Sequence, residues 1–121
     1  ARISAQEAAA AAAVHTITTA EIQWRAGHTT YATLANLGSE TPPYIDATLS
    51  GGTKQGYTFA ATPVTGEEVT QFVASAVPTG GNAHGYYIDE DGVLCRSTAV
   101  TGTAETAHQD TGCPTGYAEM Q

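Results

Sequence analysis

Residues 1–26 read ARISAQEAAAAAAVHTITTAEIQWRA, and this stretch decides the fold. It holds neither Gly nor Pro and runs as unbroken alanine from Ala8 to Ala13. Alanine loses no side-chain entropy on entering a helix, so the spacing predicts one long helix. At 100° per residue, Ile3, Ala10, Val14, Ile17 and Trp24 fall within about 80° of one another, and Ala13 and Ala20 widen that stripe. Glu21 is placed to pair with Arg25 one turn on. Ile22 lies well off the stripe. About 25 helical residues span roughly 38 Å, more than a domain of this size needs. No capping residue precedes Arg2, so the stretch reads as the second half of a longer helix.

Beyond the helix, Gly27 is expected to supply a left-handed stop. Residues 30–37 suit a short helical turn ended by Gly38. Residues 39–43 are loop because Pro42-Pro43 forbids regular structure, and residues 44–50 fit either a turn or an extended segment. From residue 55 the pattern becomes that of strands. Residues 56–64 place Tyr57, Phe59 and Ala61 on one face by alternation. Further strands are expected at 69–77, 85–88 and 93–97, the last two joined by a turn in which Gly92 tolerates positive φ. Residues 98–121 show no periodicity and read as irregular. The 121 residues make one domain, α+β in class. It divides into the helix (1–26), a connection (27–54), an antiparallel sheet (55–97) and a tail (98–121). Helix stripe and sheet must bury each other, since neither can form a core alone.

Charge and cysteines narrow the function. The formal net charge is −8, with Arg2, Arg25, Lys54 and Arg96 as the four fixed cations. Such a surface repels phosphate backbones, so no direct nucleic-acid binding is expected. Cys95 and Cys113 are the two cysteines, and neither CxxC nor paired Cys–His spacing suggests zinc. A disulfide formed in an oxidising compartment is the favoured reading, and two separate thiols, one buried and one exposed, is the other.

Candidate chemistry is sparse. His15, His28, His84 and His108 lie far apart in sequence without HxxxH or HExxH spacing, and His15 faces away from the helix stripe. GxSxG is absent, and the Gly51-Gly52 and Gly80-Gly81 pairs lack the Lys and helix of a phosphate loop. Nothing therefore points to an enzyme or to a cofactor. Asp89, Glu90 and Asp91 form the densest carboxylate cluster. No bidentate Glu follows at EF-hand spacing, so they read as solvated turn residues, with Asp89 and Asp91 a weak calcium candidate.

The segments ARISAQEAAA, HTITTAEIQW, TYATLANLG, IDATLSGGTKQGYTF and YYIDEDGVL, spread over residues 1–100, resemble bacterial type IV pilins of acidobacterial and deltaproteobacterial type. The resemblance implies a long amino-terminal helix on a four-stranded antiparallel sheet; the favoured disulfide would tie the irregular tail back onto the fourth strand. It also implies an extracellular filament subunit, held in the inner membrane before assembly and handled there by the pilus assembly machinery. Filaments of this kind serve adhesion, twitching motility or DNA uptake. The prepilin cleavage motif, the terminal aromatic residue and the early glutamate of that family are not in the sequence, which implies a truncated, monomeric form. The small side chains of Ala8, Ala9 and Ala12 would let neighbouring helices approach closely, and off-stripe Ile22 would touch a neighbouring subunit. The alternatives are a pseudopilin of a type II secretion system and, further off, an independent soluble binding module.

Overall fold

The structure, a computed structural model, describes residues 2–39, 43–45, 47–54, 56–79, 83–100, 108, 112–114 and 116–119, with backbone alone at 2–5, 47, 48, 54, 99 and 100. Helix α1 (Arg2–Gly27) is followed by two short helices, α2 (Leu34–Ser39) and α3 (Ala47–Ser50). Six strands follow: β1 (Thr53–Lys54), β2 (Tyr57–Pro63), β3 (Phe72–Pro78), β4 (His84–Asp89), β5 (Cys95–Val100) and β6 (Tyr117–Glu119). They form one sheet in the order β1-β2-β3-β4-β5-β6, each pair antiparallel. The class is α+β, as expected. The sheet has six strands rather than four, because two- and three-residue strands too short to leave a sequence signal flank the four expected ones.

The helix stripe is where periodicity places it. Ala10, Ala13, Val14, Ile17, Ala20 and Trp24 are buried in a core shared with Phe59, Ala61, Phe72, Ala74, Ala76, Tyr86 and Ile88 of the sheet. Ile3 falls outside the described side chains. Burying a side chain the size of Ile17 or Trp24 is worth about 1.5–3 kcal/mol each, which is what fixes α1 to the sheet. In β2 the alternation is clean: Tyr57, Phe59 and Ala61 are buried while Thr58, Ala60 and Thr62 are exposed.

The middle of the sheet is buried on both faces. Val73 and Tyr87, pointing away from α1, pack with Cys95 in a second cluster that Val64, Val93, Cys113 and Tyr117 join. Cys95 and Cys113 are disulfide-bonded, with Cα atoms 5.8 Å apart. The bridge draws the tail across the back face, where Tyr117–Glu119 pairs with β5 as β6. The tail is therefore not wholly irregular; its residues 101–107 and 109–111 lie outside the described ones.

Three local expectations are corrected. The second strand starts at Phe72 rather than at 69, because the amides of Thr70 and Gln71 donate to the Glu67 carbonyl and hold residues 67–71 in a turn. Gly27 does not take positive φ, whereas Gly92 does (78°). Side chains close α1 instead: His28 bonds the Trp24 carbonyl through Nδ1 at 2.8 Å and stacks on the Trp24 ring at 3.8 Å, and Arg25 donates to the His28 carbonyl. Glu21 does not pair with Arg25. Its Oε1 accepts the Ala32 amide at 2.7 Å, while Arg25 Nε donates to the Val69 carbonyl at 2.8 Å.

The connection is packed rather than loose. Thr33 caps α2, its hydroxyl accepting the Asn36 amide, and Leu34, Leu37, Ile45 and Leu49 reach the main core. Residues 47–50, which fitted two conformations, are helical. Gly38 sits so close to Ser50 that a Cβ there would meet the Ser50 side chain.

Candidate functional site

Two regions of the surface have an organisation that packing alone does not require. The first is the outer face of α1. Ala8, Ala12, His15, Thr19, Ile22 and Ala26 are all exposed, and their numbers advance by alternate steps of four and three. That is the 3.5-residue spacing of a helix–helix seam. At 100° per residue these six fall within about 80°, directly opposite the buried stripe. The face is small-sided except at His15 and Ile22, the latter 55% exposed. Ala9, at its margin, is half-buried. Val69 is 50% exposed, and its carbonyl is held by Arg25, one turn on from Ile22. Ile22 and Val69 are the exposed large hydrophobic side chains among the described residues.

The amino-terminal half of α1 is anchored by charge. The Glu7 carboxylate accepts from the His84 amide at 2.9 Å and lies 2.7 Å from its Nδ1. Burial alone would push Glu7 up, but the His84 hydrogen bonds and charge outweigh it and hold its pKa below the usual carboxylate range. Tyr57 donates to the His84 carbonyl at 2.7 Å, so helix, β2 and β4 meet at one histidine.

The second region is the turn after β4. Asp89 is not solvated: it is 2% exposed, and accepts from the Tyr87 hydroxyl at 2.8 Å and the Asp91 amide at 3.0 Å. Burial pushes its pKa above the ordinary aspartate value, and those two hydrogen bonds oppose the shift. Asp91 itself is exposed. The partner that gathers here is His108, whose Nε2 lies 2.8 Å from Glu90 Oε2 and 3.7 Å from Asp89 Oδ2. Glu90 Oε1 also accepts the Phe72 amide at 3.2 Å. Sequence reasoning placed Asp89 and Asp91 together and left His108 apart, because eighteen residues separate His108 from Glu90 and no spacing rule spans that distance. His15 is exposed, as its position on the wheel requires.

No helix among the described residues is long and apolar enough to cross a membrane. Comparison with protein-family models, curated proteins and solved structures gives no match.

Proposed function

We propose that this chain is the globular part of a type IV pilin, a non-enzymatic subunit whose filament-forming version packs its helices around a common axis outside the cell. The observation that carries the reading is the outer face of α1. A helix fixed to a sheet by one stripe, and presenting on the other side an exposed stripe at 3.5-residue spacing that is small-sided but for His15 and Ile22, is suited to close approach by further helices. Ile22 and Val69 then supply the apolar contact between neighbours. The Cys95–Cys113 bridge, enclosing the carboxyl region, favours a pilin over a pseudopilin of type II secretion. The reading requires an apolar helical segment ahead of this one, which the full gene sequence tests directly.

The decisive experiment is Ala12→Arg in the filament-forming protein. Residue 12 is exposed, so the isolated domain should keep its melting temperature. Filaments seen by electron microscopy should be lost, because a long charged side chain holds helices apart. Wild-type filaments from the Ala12→Arg protein would reject the assignment.

A further inference from the structure

We propose that Asp89, Glu90 and His108 form a binding site for one divalent transition-metal ion of the zinc class, independently of any filament role. One ligand atom from each side chain lies within 4.8 Å of the others. Zinc bonds of about 2.0–2.2 Å in tetrahedral geometry put ligand atoms about 3.4 Å apart. His108 Nε2 is 2.8 Å from Glu90 Oε2 and 3.7 Å from Asp89 Oδ2, distances that bracket this value. Admitting the ion requires the His108–Glu90 separation to open from 2.8 Å by about 0.6 Å.

The surroundings suit a cation. Two carboxylates face a single imidazole, and among the described residues no lysine or arginine forms an ion pair with either. The side chains of His108 and Asp89 are 8% and 3% exposed, so water screens this excess negative charge poorly. Donors that are not ligands already orient the carboxylates: Tyr87 and the Asp91 amide on Asp89, and the Phe72 amide on Glu90. Such outer hydrogen bonds are a regular feature of metal sites. The donor set also selects among ions. Calcium takes six to eight oxygens and magnesium an octahedron of them, whereas one imidazole and two carboxylates with a fourth position for water suit zinc. Since His108 lies between Cys95 and Cys113 in sequence, the ion would tie the disulfide loop to the β4–β5 turn.

The metal-stripped chain with its disulfide intact is titrated with zinc alone by calorimetry, and its melting temperature is followed. One equivalent should bind and raise the melting temperature, while calcium at the same concentration should do neither. His108→Gln, whose amide can still donate to Glu90, and Glu90→Gln should each weaken zinc binding about tenfold or more, and Tyr87→Phe should weaken it by about tenfold. His84→Gln, which alters the other histidine–carboxylate contact, should bind zinc as the wild type does. Absence of zinc binding in the wild type, undiminished binding in both His108→Gln and Glu90→Gln, loss in His84→Gln instead, or a preference for calcium would each overturn the proposal.

Discussion

Glu21 carries a carboxyl group into the helix–sheet interface with only one of its oxygens partnered. Oε1 accepts the Ala32 amide and fixes the chain just beyond α1, while Oε2 is buried without a hydrogen bond. Burial pushes its pKa up to about 7, the single hydrogen bond opposing the shift. A carboxyl whose folded pKa is raised binds its proton more tightly in the native state. Stability is therefore fully present below the ordinary glutamate range, falls as pH rises toward 7, and levels off above it. Over that window the loss is of order 3 kcal/mol. Glu21→Gln keeps the acceptor for Ala32 and carries no charge. It should remove the slope and raise stability at pH 8 by about 1–3 kcal/mol. Urea denaturation of both proteins at pH 5 and pH 8 checks this, and parallel pH profiles would refute it. The residue was misread because a Glu–Arg pair one turn apart is the usual surface pattern, even though at 100° per residue position 21 falls within the arc of Ile3, Ala10, Val14, Ile17 and Trp24. Asp89 was misread for the same reason: a run of acids implies solvent until the turn is seen to fold back under Tyr87.

At the level of elements, what is written locally was legible. Alanine content and one apolar stripe gave α1, two-residue alternation located β2, and bounding Gly, Pro and acidic turn signals located β3, β4 and β5 to within a few positions. Elements stabilised from a distance were not. β1 and β6 exist because a neighbouring strand completes their hydrogen bonds, and α1 ends where the His28 ring bonds the Trp24 carbonyl and Arg25 reaches past the helix to the His28 carbonyl. The juxtaposition of His108 with Glu90 likewise depends on a chain reversal that no residue spacing records. The packing of α2 on α3 yields a further expectation. Gly38 has no room for a methyl group against Ser50, so Gly38→Ala should destabilise by about 1–3 kcal/mol through overpacking. Adding Ser50→Gly should recover part of that loss. Unfolding free energies of the single and double variants decide it, and additive losses would show that the contact is not the cause.

Over the whole molecule, two cores share one sheet. The front core joins α1 to β2, β3 and β4, and the back cluster exists because Cys113 and Tyr117 are brought over Val73 and Tyr87. Closing a loop of this sequence separation should contribute roughly 3 kcal/mol through the unfolded chain's lost freedom. Reduction should therefore lower the denaturation midpoint while the α1 core still forms. Equal midpoints with and without reductant would mean the bridge adds nothing. The lengths of the outermost strands have a separate consequence. The sheet's rims are β1 with two residues and β6 with three, and β1 covers β2 only as far as Phe59, so on that edge Ala60 to Thr62 have no strand partner among the described residues. Pro63, with no amide hydrogen to give, closes that open margin after three residues, a short footing for a foreign strand to build on.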